Sequence, residues 1–317
     1  MLAKLFNNIS IPSLARALFF AVLSSVLAAV WSNIPYQGLA LVVIEAEVAP
    51  WVYRLMVAVI PVVVGYALNS GINASGFLKQ SYQFLPVYTM LTLGLFLVAE
   101  GSFELLTALP LGAILVYRLI VLVKSINPSY ILFDTGVLTG IMALLVPEAA
   151  CFLVLIWLAT FNFGHGGVRT FLMPVMGAGA VYFLAFPLLY WISGSNGVEF
   201  LINRYSAMEF GFHLKDTKHA LVYIPLILVI VPSLLETVQV YGKASVQKRQ
   251  LFTFLVEAAL LIVIGGTFVK NSPNLWVWLS IPLAILVVNL INYRKKKWQK
   301  DLVYLMLIAF LALSLLV

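Results

Sequence analysis

With one cysteine, Cys151, the chain has no intramolecular disulfide available to it. Charge is equally scarce. Only 10% of residues are Asp, Glu, Lys or Arg against 63% hydrophobic ones, which excludes an ordinary soluble domain. The sequence has no low-complexity tract, no linker, no phosphate-cradling Gly-Lys-Ser/Thr loop, no nucleophile elbow and no haem-type histidine pair. It also lacks a convincing internal repeat, which counts against a transporter built from inverted halves.

What the chain does have is a succession of continuous apolar runs, each closed by polar, Pro or Gly punctuation. Runs of roughly 17–22 residues match the hydrocarbon core of a bilayer. A bilayer leaves the backbone only helices or closed barrels, and unbroken rather than alternating hydrophobicity selects helices. Eleven spans are expected, near 13–32, 49–68, 84–99, 103–123, 131–146, 148–163, 170–192, 219–240, 250–269, 275–293 and 302–317. The pairs 84–99/103–123 and 131–146/148–163 are short and closely joined. Pro147-Glu148 could kink one long segment, but 131–163 would be overlong for a single helix. The N-terminal run resembles a signal sequence, yet Trp31-Ser32 follows without a small-residue cleavage site, so it is expected to remain as the first span.

Basic residues then label the sides. With the N-terminus in the cytoplasm, the inner segments receive Lys4, Arg16, Lys79, Arg118, Lys124, Arg169, Lys243, Lys248, Arg249, Arg294, Lys295, Lys296, Lys297 and Lys300. The outer side receives only Arg54, Arg204, Lys215, Lys218 and Lys270. Cytoplasmic loops retain Lys and Arg, so the expected topology is N-in and C-out. The formal charge of +7 is thereby explained by orientation and contact with anionic membrane lipids, and no nucleic-acid partner is required.

Two outer segments are long enough to build a cap. In the first, Gly38–Val48 is apolar until Glu45 and Glu47 interrupt it, and it is too short to cross, so it should lie along or dip into the interface. In the second, Val198, Leu201, Tyr205, Met208 and Phe212 recur at spacings of three and four, with Glu199, Asn203, Arg204 and Ser206 between them. That pattern is an amphipathic helix suited to the interface plane. The expected cap comprises 35–48 and 197–212. Within the spans, Gly136 and Gly140 form a Gly-x-x-x-Gly pair that permits close helix approach, and Gly177, Ala178 and Gly179 offer a second small surface.

Several residues are candidates for chemistry. Eight acids fall at or near the outer face: Glu45, Glu47, Glu100, Glu104, Glu148, Glu199, Glu209 and Asp216. Glu45-Ala46-Glu47 places two carboxylates at i and i+2, a pattern that could hold a divalent cation or supply a general base. Arg54 follows, and with Arg204 it is a candidate for binding phosphate through a bidentate contact. His213, Asp216 and His219 match no established metal spacing. Glu257 lies about 10 Å along its span, a depth at which an acid usually faces a partner or a cavity. Arg118 and Asp134 flank the Asn127-Pro128 hairpin and are expected to pair, and Glu236 has a comparable structural reading. The Gly164–Gly167 stretch around His165 reads as a tight connection.

The stretch Ala15–Arg54, with an N-in first span and an acid-x-acid pair in the first outer loop, resembles integral-membrane glycosyltransferases of the GT-C type. That resemblance implies interfacial helices, a polyprenyl-phosphate-linked sugar donor and catalytic roles for Glu45 and Glu47. A second resemblance lies in Phe133–Ala143 and in Arg169–Gly177 followed by Tyr182-Phe183-Leu184. These segments are similar to an uncharacterised, domain-of-unknown-function family of polytopic Bacteroidota inner-membrane proteins. The likeness covers about 115–192 and implies a bacterial inner membrane, with Asp134, Arg169, Pro174 and Gly177 as structural positions.

The expectation is therefore a single all-α integral-membrane domain over 1–317, an eleven-span bundle with short interfacial helices outside. Three functional classes follow from it. One is a lipid-linked glycan enzyme working at the outer face. Another is a noncatalytic subunit of an envelope machine with protein partners, and the third is a lipid or small-solute transporter with Glu257 and proline-bent helices lining its path.

Overall fold

The computed structural model describes residues 6, 10–31, 39–41, 44–46, 50–76, 78, 81–125, 127–206, 209–210, 220–242, 244–270 and 274–316. Helices account for nearly all of them. Each of the eleven expected runs falls on a helix: α1 (Ile11–Trp31), α2 (Pro50–Ser75), α3 (Phe84–Val98), α4 (Phe103–Leu122), α5 (Pro128–Leu145), α6 (Phe152–Asn162), α7 (Val168–Ser193), α9 (Ala220–Tyr241), α10 (Val246–Phe268), the pair α11 (Asn274–Trp278) and α12 (Ser280–Tyr293), and α13 (Lys297–Ser314). Between α7 and α9 lies the amphipathic α8 (Ser195–Ser206).

Among the described residues, eight helices are long and apolar enough to cross a membrane: Ile11–Val30, Trp51–Ser75, Phe103–Leu122, Pro128–Leu145, Val168–Ser193, Leu221–Tyr241, Val246–Phe268 and Asn274–Tyr293. The other three expected spans fall short for identifiable reasons. Helix α3 has 15 residues, about 22 Å at 1.5 Å per residue, and α6 is shorter still. Helix α13 starts earlier than its apolar run and takes Lys297, Lys300 and Asp301 into its first turns.

The centre of the bundle is α3, whose residues are buried almost without exception, together with α12, buried from Ser280 to Ile291. Helices α1, α2, α12 and α13 pack around α3. A helix so enclosed meets other helices rather than lipid, so it need not match the full hydrocarbon thickness of about 30 Å. At the other extreme, α7 leaves Phe183 and Trp191 78% and 86% exposed. Aromatic surface of that extent would be a liability in water and is ordinary against lipid tails.

The tightest packing joins α5 to α7. A Cβ on Gly136 would stand 2.1 Å from the Pro174 carbonyl oxygen, and one on Gly177 would stand 2.3 Å from that of Phe133. A Cβ on Gly140 would stand 3.1 Å from Ala178, a tight contact, whereas Gly179 has nothing within 4 Å. The small-residue pattern therefore brings two backbones together through Gly136, Gly140 and Gly177 without using Gly179.

The first expected interfacial segment is corrected. Its described part is not a helix but a short antiparallel pair, β1 (Leu39–Leu41) with β2 (Ile44–Ala46), in which Ala40 stands opposite Glu45. A second short pair, β3 (Glu209–Phe210) with β4 (Val269–Lys270), ties the chain after α8 to the end of α10. Residues Pro147–Cys151 form a 3₁₀ turn, with Val146 extended before it, so 131–146 and 148–163 are two helices rather than one kinked segment.

Long-range contacts define the two ends of the bundle. At one end Tyr53, Gly101, Glu104, Ala143, Arg204 and Tyr205 come together. At the other, Lys124 donates to the Ser75 carbonyl, His165 meets the Leu122 carbonyl and Arg294 pairs with Glu236 at 3.1 Å.

Candidate functional site

The Glu104 end is assembled from three turns and a lid. In the first turn, Ser102 caps α4 by accepting from the Leu105 amide at 3.3 Å, which fixes Glu104 in the opening turn of the helix. A carboxylate there is favoured by the positive end of the helix dipole. Gly101 precedes it, where a Cβ would strike the Phe96 ring at 2.3 Å. The Gly101 carbonyl accepts from the Tyr53 hydroxyl at 2.8 Å, and the Tyr53 ring stacks on Phe103. Glu104 is consequently 7% exposed.

The second turn is Pro147–Cys151. Proline at its first position sets the backbone and places Glu148 in the first turn, facing the same end. One Glu148 carboxyl oxygen, Oε2, is buried, and no described residue donates a hydrogen bond to it. The charges of Arg204 and Glu104 both act on this carboxyl. A buried acceptor left without a donor costs stability, and such groups are uncommon enough in folded proteins to need a reason.

The third turn is Gly194, whose φ of +64° is the left-handed region that glycine enters without strain. It reverses the chain from α7 into α8, and Gly197 lets α8 lie close against the Leu189 carbonyl. Helix α8 buries Leu201 and holds down its last turn with Arg204 and Tyr205. The Tyr205 hydroxyl donates to the Ala143 carbonyl at 2.7 Å and is hydrogen-bonded to the Tyr182 hydroxyl. Burial first, and the Tyr182 hydrogen bond second, push the Tyr205 pKa above its ordinary value, so the phenol stays neutral. Arg204 Nη2 stands 3.9 Å from Glu104 Oε1.

The result is one guanidinium facing two carboxylates beneath an amphipathic helix. One carboxylate is paired with it and the other keeps an oxygen unpartnered among the described residues. Such a set can take a proton from a hydroxyl, and its arginine can meet a phosphate. Among the described residues no three of His, Cys, Asp and Glu converge as metal ligands.

The other sequence candidates are dispersed. The backbone of Glu45 lies in β2, while its side chain, like the whole of Glu47, lies outside the described residues. His213, Asp216, His219, Met208 and Phe212 also lie outside them. Arg54 is exposed in the first turns of α2, and no described contact joins it to Arg204. Arg118 and Asp134 pair at 3.6 Å, joining α4 and α5 at the opposite end from Arg204. Glu257 accepts a hydrogen bond from the Asn162 amide and so links α10 to α6.

Sequence reasoning counted Glu104 and Glu148 among the outer acids but did not single them out. A signal was available. Both sit at tight turns, expected on the outer side, that contain no Lys or Arg, so a cation for either must come from another segment, and Arg204 is on the amphipathic helix.

The chain belongs to a family of unknown function, DUF6427, which it matches over residues 19–316. No curated protein matches it. No solved structure matches it either.

Proposed function

We propose that the protein is a GT-C-like enzyme of lipid-linked glycan chemistry, embedded in a bacterial inner membrane and working at the outer face. The observation that carries this reading is the unpartnered, buried oxygen of Glu148 beside the Glu104–Arg204 pair, under a helix suited to the membrane interface. Support for the topology comes from charge. If all eleven runs cross in alternation with the N-terminus inside, fourteen of the nineteen Lys and Arg residues fall on the cytoplasmic side, and the Glu104 end faces out.

In this reading Glu148 is the general base. An acceptor hydroxyl loses its proton to the carboxylate as its oxygen bonds to the anomeric carbon of the donor sugar. The bond from that carbon to the phosphate oxygen breaks, and the polyprenyl phosphate leaves with the electron pair. Arg204, with Arg54 on the same side, stabilises the phosphate charge. Glu45 and Glu47, on the segment between α1 and α2, supply a second acidic position from the same end, as base or as ligands to a divalent cation.

Native mass spectrometry of the protein, extracted in mild detergent from its own membrane, tests the proposal. A retained polyprenyl-phosphate species is expected, weakened by Arg204→Ala and kept by Glu148→Gln. A stoichiometric protein partner with no such lipid would overturn the enzyme and leave a noncatalytic subunit of a larger assembly. That second reading is consistent with a sequence that is almost entirely apolar runs and short connections. The carrier reading draws on Glu257, whose carboxylate accepts from Asn162, and on the helices that contain Pro61, Pro110, Pro174, Pro187, Pro225 and Pro232.

A further inference from the structure

Between α2 and α4 two neighbouring cavities, a groove and a mouth, make up a trough that opens at the end of the bundle opposite Glu104. Its deep part is an apolar groove of about 420 Å³, lined by Val59, Val63 and Ala67 of α2 and by Pro110, Ile114 and Tyr117 of α4. Its mouth is a pocket of about 310 Å³ where both helices end, lined by Ser75, Gly76, Lys124, Ser245 and Lys248. Tyr117 lines both. The two cavities also follow one another along each helix, from Gly71 to Ala74 on α2 and from Tyr117 to Ile120 on α4.

Three features make this trough more than lipid-facing surface. Its apolar part runs from Val59 to Gly71, about 18 Å at 1.5 Å per residue, comparable to one leaflet of a hydrocarbon core about 30 Å thick. The mouth carries two lysines, and among its described lining residues there is no Asp or Glu. An ammonium has three N–H donors, and Lys124 gives one to the Ser75 carbonyl at 2.9 Å. Finally, Gly71 has no side chain where one would collide with the Tyr117 ring at 2.8 Å, so the ring lies against α2 at the junction of groove and mouth.

We infer that this trough binds one anionic phospholipid of the surrounding leaflet, with its phosphate held by Lys124 and Lys248 and an acyl chain along the α2–α4 groove. Apolar length alone would accept any lipid, and two lysines with no acid among the described lining residues select a negatively charged headgroup. The start of α10, which contributes Ser245, Gln247 and Lys248 to the mouth, adds the favourable end of a helix dipole. Because this site lies away from the Glu104 end, the inference stands apart from the glycan-enzyme proposal.

The test is native mass spectrometry of the full chain, delipidated and then supplied with phosphatidylglycerol or phosphatidylcholine. One tightly retained phosphatidylglycerol is expected. Lys124→Gln with Lys248→Gln should weaken retention about twenty-five-fold, at about fivefold per lysine. Ala67→Trp, which fills the groove from an exposed position, should displace the lipid while leaving both lysines in place. Equal retention of phosphatidylcholine overturns the inference, as does indifference to either change. Sensitivity to the lysines but not to Ala67→Trp would mean that a phosphate binds without its chain, and that also overturns it. A photoactivatable phosphatidylglycerol, used on the unsubstituted protein, does not depend on the variants folding. It should label residues within 59–71 or 110–117, and labelling confined to other helices, or a crosslinked protein in its place, contradicts the assignment.

Discussion

Gly136 and Pro174 meet so closely that a Cβ on the glycine would stand 2.1 Å from the proline carbonyl oxygen. The obstacle is backbone on a neighbouring helix, so relief requires α5 and α7 to separate. These two helices also carry Ala143 and Tyr182, the anchors of Tyr205. The helix crossing therefore sets the floor on which the α8 lid rests.

Gly136→Ala should lower stability by at least the 1–3 kcal/mol typical of overpacking. Gly179→Ala, one helical turn away from Val175 with open space around it, should be neutral or raise stability by up to about 1 kcal/mol through helix propensity. Thermal melts of the two variants in the same detergent provide the comparison. Equal losses would mean that the contact is not sequence-specific.

Tyr205→Phe removes the hydrogen bond to the Ala143 carbonyl and should cost about 1 kcal/mol. The loss should be local. Hydrogen exchange is expected to rise over residues 195–206 and to stay unchanged in α3, whereas Glu199→Gln, on the exposed face of α8, should alter neither.

Arg204→Ala leaves Glu104, which is nearly enclosed, facing Glu148 without the cation. A loss of about 1–3 kcal/mol is expected, and Glu104→Gln should recover part of it in the double variant. Strict additivity in that cycle would show the two side chains to be energetically independent despite their proximity.

In a Cys151→Ala background, cysteines at Ser102 and Glu199 should react with a membrane-impermeant maleimide in intact cells. Cysteines at Ser245 and Lys296 should react only after the membrane is opened. The reverse pattern would invert the orientation, and labelling of all four from one side would remove the alternation on which the outer assignment depends.

Much of the fold was legible because a bilayer forces apolar segments into helices, and each expected run is a helix. Local spacing also foretold the Gly136 contact and the amphipathic α8 as far as Ser206, since both are properties of a single helix face; the expected continuation of that helix to 212 is overturned by the strand at Glu209–Phe210, which pairs with Val269–Lys270. The enclosure of α3 was not legible, because helices buried in protein and helices facing lipid tails have the same apolar composition. The β1–β2 pair was read as an interfacial piece because Gly38–Val48 is apolar and short, and hydropathy does not separate extended from helical backbone over such a length. Glu104, Glu148 and Arg204 converge from α4, a 3₁₀ turn and α8, far apart in sequence. Only the order of helices around α5 brings them to one place.

The most direct measurement is of turnover. The protein, reconstituted with the polyprenyl-phosphate sugar that co-purifies with it and with an extract of its own membrane as the source of acceptor hydroxyls, should transfer sugar from the carrier lipid to an acceptor, followed by mass spectrometry of the lipid over time. The account predicts that Glu148→Gln binds the lipid and leaves the sugar in place, with at least a hundredfold slower loss, the usual contribution of a general base being about 10²–10⁴. Consumption by Glu148→Gln at the unsubstituted rate, together with abolition by Glu45→Gln and Glu47→Gln, would move the base to the β1–β2 segment and contradict the assignment made at Glu148.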